Sequence, residues 1–304
     1  MNMADYLADT ALAWPLVWRP LLVAAALVLM SSVLSVLVVL KRLSFAGQGI
    51  SHSAFGGVGV AAVLGVLLGG VGGVLAPGIE FLIVLGFCTS CALLMAHISD
   101  RRRVQMDTGI GLLLVAAMAL GGVLVDVARH AAELRGVAAP ARSWESVLFG
   151  SIQVVGPIDV VTSWSVCAGV LATLWLVRRP LLFWAVDEPA AEAFGVPVRR
   201  VRAVLMVLLS LAVVTSMKLA GVVPATALLV LPGAIALRLA DRLWLVLALG
   251  VGAALLGLVL AMALALQFNV QAGPSLVLVL TGVFFMTYLV PGKARAGAGA
   301  KVTA

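Results

Sequence analysis

The sequence predicts an all-α, polytopic integral membrane protein with about eight or nine transmembrane helices and a short cytoplasmic helix. Three observations predict it. The 304 residues are 63% hydrophobic and only 11% charged, where soluble domains are about one quarter charged, and the mean hydropathy is +1.19. Apolar runs of about 20 residues, enough to span a hydrocarbon core, recur along nearly the whole chain. The basic residues collect between alternate runs, the pattern of cytoplasmic loops.

The runs place nine candidate spans at roughly 21–40, 52–71, 79–96, 108–127, 157–177, 201–217, 222–237, 243–264 and 273–290. They divide the chain into an external N-terminal segment (1–20), a transmembrane domain (21–290) and a cytoplasmic tail (291–304). With the C-terminus inside, the inner loops and tail carry 15 of the 20 Lys and Arg, as the positive-inside bias requires. The first 20 residues contain Asp5 and Asp9 and lack a positive n-region. The first span itself, rather than a cleaved signal peptide, therefore directs insertion. A net charge of +7 would suggest nucleic acid in a soluble chain. Here topology accounts for it, so the surroundings it implies are membrane lipid, not nucleic acid. The seventh span is the least regular: Lys218, Pro224 and Pro232 mark a broken or re-entrant segment, and eight spans is the alternative.

Small residues recur at every fourth position from Gly49 through Ser53, Gly57, Ala61, Gly65 and Gly69 to Gly73. Such a ridge lets neighbouring helix backbones approach closely in lipid. His52 lies beside it, and a titratable group in that position is a functional candidate, the alternative being a structural histidine bonded to a carbonyl. Pro224 and Pro232 remove backbone donors and release carbonyls that either line a cavity or merely kink a packed helix. Cys88 and Cys91 sit within an apolar run without a second pair, so they read as packing residues. His97 reads as interfacial, His130 as part of a solvated loop, and Asp107 as a helix cap. Glu80 and Asp126 read as acids at the outer ends of helices.

Two connections are long. The external one, Ala128 to Gly156, is expected to hold a short interfacial helix. The cytoplasmic one reads RRPLLFWAVDEPAAEAFGVPVRRVR from Arg178 to Arg202. Asp187 and Glu188 precede Pro189 as first-turn acids and proline should, and Gly195 followed by Pro197 ends the helix. By pattern alone this is either a docking element or a solvated connector.

These segments together resemble the permease subunits of ABC importers for zinc, manganese and iron. Lys41-Arg42-Leu43-Ser44 followed by Gly47-Gln48-Gly49-Ile50-Ser51-His52 is similar to the family's Arg-Arg-Met-Ser/Ala run and its Gly-Asp-x-x-Ser/Ala-His. Asp107-Thr108-Gly109-Ile110-Gly111 resembles Asp-Thr-Ala-Ile-Gly, and Leu148-Phe149-Gly150 resembles Leu-Phe-Gly. Asp187-Glu188 through Phe194-Gly195-Val196 is similar to its coupling segment. Gly221-Val222-Val223 and Ala227 through Pro232 are similar to its Gly-Val-Leu and Ala-Leu-Leu-Ile-x-Pro stretch. The resemblance implies a permease homodimer with the ion path at the subunit interface, in the bacterial cytoplasmic membrane. A separate ABC ATPase would dock on Asp187, Glu188, Glu192 and Gly195, and an extracellular metal-binding protein would deliver a divalent ion. No G-x-x-x-x-G-K-[ST] occurs, so this chain is expected to be a transport subunit without ATP hydrolysis or a bound cofactor of its own.

One departure bears on cargo. The family's carboxylate four residues before the histidine is Gln48 here, which shares a helix face with His52 but brings no negative charge. Gln48 and His52 are thus a weak ion ligand pair, a transient pathway site, or a sign of another cargo such as a metal chelate or vitamin. A secondary carrier would need buried carboxylates that the spans lack. An intramembrane serine protease fails because adjacent Ser51 and His52 point about 100° apart on a helix. The orientation predicts that cysteines placed at Arg102 and Arg199 resist an impermeant thiol reagent in intact cells while one at Arg135 reacts. Labelling of the Arg102 position from outside would overturn the topology.

Overall fold

The computed structural model describes residues 10–68, 77–100, 106–136 and 155–289. Helices α1 (Thr10–Leu40), α2 (Ser44–Leu68), α3 (Pro77–Asp100), α4 (Met106–Arg135) and α5 (Pro157–Leu176) come first. Two short helices, α6 (Arg178–Val186) and α7 (Glu188–Ala193), lead into α8 (Val198–Ala220). Then follow α9 (Val222–Leu228), α10 (Leu231–Leu239), α11 (Leu243–Phe268) and α12 (Ala272–Leu289). Among the described residues nine segments are long and apolar enough to cross a membrane, α9 and α10 together making one of them. The fold is that of an all-α, multi-pass membrane protein.

Helices α1, α2 and α8 form the interior, and α3, α4 and α5 present mostly exposed apolar side chains at the lipid-facing periphery. Lipid tails are as apolar as leucine, so close van der Waals packing must hold the helices together. The ridge on α2 supplies it. A Cβ on Gly57 would fall 2.9 Å from the Val84 Cα of α3, and one on Gly49 would fall 2.7 Å from Ile110 of α4 and 2.9 Å from Met95 of α3. A second small face, Gly56 and Gly59, meets α4, where a Cβ on Gly121 would lie 2.5 Å from the Phe55 carbonyl oxygen. Gly69 and Gly73 lie outside the described residues.

The seventh span is broken, as the prolines suggested, but the prolines act differently. Pro224 and Pro232 each occupy the first turn of a half-helix, where their missing N–H has no intrahelical role. The interruption falls at Leu229–Val230. Pro232 has no N–H to give the Leu228 carbonyl, and the Gly233 N–H turns to Ser35 Oγ on α1 at 2.7 Å. Both prolines are buried, and Pro224 lines a small apolar recess with Leu228 and Leu258.

Two boundaries also differ. α1 is helical from Thr10, so the expected external segment is helical over its second half. α4 runs through His130 to Arg135 instead of stopping near 127. Its final turn is held because Arg135 Nη1 donates to the Val66 carbonyl at 2.7 Å, satisfying one of the last carbonyls of α2. The expected interfacial helix and the Leu148-Phe149-Gly150 motif fall among residues that are not described.

The backbone approach at Gly233 generates a prediction. A Cβ there would sit 2.5 Å from the Ser35 carbonyl oxygen, whereas one on Gly252 meets nothing within 4 Å. Gly233→Ala should therefore destabilise the detergent-purified protein by about 1–3 kcal/mol through overpacking. Gly252→Ala should leave the thermal midpoint unchanged or raised. Equal midpoints for the two variants would contradict the packing.

Candidate functional site

α2 begins at Ser44 and carries Gln48 and His52 one turn apart on one face. Gln48 is exposed, His52 half-buried, and the neighbouring Phe45 exposed, so this stripe is only partly covered by the chain's own helices. The His52 ring lies nearly parallel to Phe55, with centroids 6.0 Å apart and planes at 20°. Its Nδ1 is buried and has no hydrogen-bond partner. Ser51 and Ser53 are spent locally, donating to the Gly47 carbonyl at 2.9 Å and the Ile50 carbonyl at 2.7 Å.

Ser51 is thus a satisfied packing residue on another face, which removes the geometry a serine nucleophile would need. Among the described residues every buried polar side chain is serine or threonine, so buried carboxylates for a proton-coupled carrier are not found there. No three His, Cys, Asp or Glu come together as a metal-holding group among them either. Cys88 is buried and free, with Sγ 3.8 Å from the Ile50 carbonyl, as befits packing. His97 and His130 are exposed and far along the chain from His52, and His130 Nδ1 sits 3.8 Å from Glu133. At the outer end Lys218 pairs with Asp159 at 3.2 Å, and Glu80 and Lys218 line a recess with Phe81.

The cytoplasmic connection contains more order than the sequence suggested. Leu181, Trp184 and Ala185 bury one face of α6, a helical spacing legible in RRPLLFWAV. α7 is capped as expected: the Asp187 side chain accepts from the Ala190 N–H at 3.0 Å. Its end is a left-handed turn at Gly195 (φ 81), with Val196 N–H reaching back to the Ala191 carbonyl. A side chain at Gly195 would strain that turn.

The acidic residues of α7 divide. Glu192 is exposed, and beside it Val186 and Phe194 are 84% and 80% exposed, forming an outward apolar and acidic surface. Glu188 faces inward. One of its oxygens accepts from Lys41 Nζ at 2.8 Å and the other from Arg202 on α8. Lys41 also donates to the Trp184 carbonyl at 3.1 Å and lies 4.3 Å from the Trp184 ring centroid. The side chains of Lys41 and Arg202 are only 14% and 15% exposed and that of Glu188 32%, which lifts the triad above the weak exposed ion pair. Lys41 did not stand out in the sequence as a partner of Glu188 or Trp184, because 143 residues or more separate it from both.

A bundle of membrane-crossing helices with a partly uncovered polar stripe on α2 and a capped helix between α5 and α8 has the build of a membrane transport protein. The chain matches the ABC 3 transport family over residues 13–291 and belongs to it. It is 30% identical over 293 residues to the manganese transport system membrane protein MntC of Halalkalibacterium halodurans, covering 95% of this chain and 91% of that protein. It is 25% identical over 293 residues to the chelated iron transport system membrane protein YfeD of Yersinia pestis, covering 95% and 90%. The solved structure of PsaBC from Streptococcus pneumoniae in complex with Fab superposes with a TM-score of 0.75 at 27% identity, over 94% of this chain and 95% of that one. The protein is an ABC transporter permease, a multi-pass component of the bacterial cytoplasmic membrane.

The triad predicts a pH dependence. Burial pushes the Glu188 carboxyl up, but the hydrogen bond and charge of Lys41 and the charge of Arg202 outweigh it and hold it below the usual carboxylate range. A depressed folded-state pKa contributes stability above the unfolded value that is lost as pH falls through the folded one. Thermal midpoints recorded from neutral pH into the acid range should therefore fall more steeply for the parent than for Glu188→Gln. Parallel curves would show that the carboxylate contributes nothing to stability.

Proposed function

We propose that this permease moves a divalent transition-metal ion, manganese, iron or zinc, into the cytoplasm through the face of α2 that carries Gln48 and His52. The observation that carries the reading is the His52 Nδ1 left without a partner, one turn from an exposed Gln48. Neutral imidazole suits such ions, and the Gln48 carbonyl oxygen adds a second donor. With no carboxylate in the pair, cargo is held weakly and released readily, which suits passage rather than storage.

One chain brings two donors to this stripe. A second copy placed across it would double them, so the transporting unit is a homodimer with the path between subunits. Energy comes from ATP hydrolysed on a separate ATPase that docks on the outward surface of Glu192 and Phe194. Gly195 keeps that surface compact by ending α7. An extracellular metal-binding protein delivers the ion. The names of MntC and YfeD support metal as the cargo class. The neutral Gln48 and the chelated iron in YfeD's name favour one second reading, a metal chelate.

His52→Ala should abolish or greatly slow uptake of manganese, iron and zinc in a strain lacking its own importers. Gln48→Asp should preserve uptake and strengthen metal retention on the purified protein, because an added carboxylate supplies charge on the same helix face. Normal transport of all three bare ions by His52→Ala would make His52 structural, and uptake of chelated but not bare metal would favour the second reading.

A further inference from the structure

We propose that Lys41 and Glu188 are the positioning pair through which movement of the docking helix α7 is transmitted to α2, the helix that carries His52. The inference rests on the reading of α7 as the ATPase-docking helix.

Lys41 stands where α1 ends, and only Arg42 and Leu43 separate it from the first residue of α2. That turn is stiff. Leu43 N–H reaches back to the Val38 carbonyl at 2.7 Å and Arg42 N–H to Val39 at 3.1 Å, the two bonds of a Schellman turn. Its left-handed position, usually glycine, is Arg42 with φ 56, and Leu43 is buried. A turn closed by two backbone bonds and a buried side chain absorbs little displacement, so α2 follows Lys41.

Lys41 is in turn gripped from the cytoplasmic connection at three points. Glu188 Oε2 on α7 is 2.8 Å away, the Trp184 carbonyl on α6 is 3.1 Å away, and the Trp184 ring lies 4.3 Å from the ammonium. Trp184 is fully buried, which fixes that platform. Glu188 is the first residue of α7, immediately after its Asp187 cap, so it cannot shift without the helix. Its other oxygen binds Arg202 one turn into α8, a helix at the centre of the bundle. One carboxylate thus ties α7 to the start of α2 and to α8. The outward side of α7 remains open to a partner.

A staple that only stabilises the fold would not alter how α2 responds to nucleotide. The test therefore reads α2 directly and without metal. A cysteine at Gln48, exposed two turns beyond Lys41, is introduced into the permease purified with its ATPase in lipid nanodiscs. Its rate of modification by a small thiol reagent is compared between the nucleotide-free and vanadate-trapped complexes. The parent should show a several-fold difference between the two states. Glu188→Gln and Lys41→Met should abolish that difference while still co-purifying with the ATPase, and Lys41→Arg should restore it.

A difference that persists in Glu188→Gln and Lys41→Met overturns the link. So does loss of the ATPase from both, since Glu188 would then be a docking contact. Absence of any nucleotide response in the parent overturns it as well, because α2 would not be driven from α7. Should Glu188→Gln fail to assemble, Glu188→Asp serves, and an undiminished response with that shortened side chain counts against the link. Failure of the parent to take up metal, with the nucleotide response present, would instead overturn the cargo reading and leave the link standing.

Discussion

In hydrocarbon no hydrophobic force draws one helix to another, and the backbone must find every hydrogen bond inside the protein. The bundle answers with close packing around α2. Its Gly49 and Gly57 ridge meets α3, and Gly56 and Gly59 meet α4 at Gly121. Gln48 and His52 lie on the same face as Gly56 and Gly59, nearer the start of α2, where Phe45 and Gln48 are exposed and His52 is half-buried. A bulkier residue at Gly57 would move α3 before it touched His52.

The same demand for internal hydrogen bonds shapes the broken span. Gly233 gives its N–H to Ser35, and the two prolines sit where a donor is not needed. Hydroxyls elsewhere in the membrane close onto their own helices, as at Ser51 and Ser53, or onto each other, as Thr89 and Ser210 do at 2.9 Å between α3 and α8. The His52 Nδ1 is without a partner, as are the hydroxyls of Ser31 on α1 and Ser216 on α8. Of these three, His52 alone is titratable and a metal-ligand type.

Charge is kept to the helix ends, and each end uses it differently. Outside, Lys218 and Asp159 join α8 to α5, and Arg135 closes the end of α2. Inside, Glu188 joins three elements through Lys41 and Arg202 while Glu192 stays exposed. Two acids four residues apart on one short helix thus differ in their partners. Glu188 fastens α7 to the bundle, and Glu192 stays on the exposed surface of α7.

The all-α membrane architecture was legible in composition and in apolar run length, because span length is set by bilayer thickness and needs no tertiary contact. The short helix capped by Asp187 and ended by Gly195 was legible too, since caps are local chemistry. So was the shared face of Gln48 and His52, which follows from the helical repeat alone. What the sequence could not decide was which groups meet across it. Glu188 read as a docking acid until Lys41, 147 residues away, was seen on its carboxylate. Pro224 and Pro232 marked a broken span, but only the fold showed each of them in the first turn of a half-helix. Periodicity determines a residue's face, but its partner is chosen only when packing brings distant helices together, and in this protein the partners decide which polar groups are structural and which remain open.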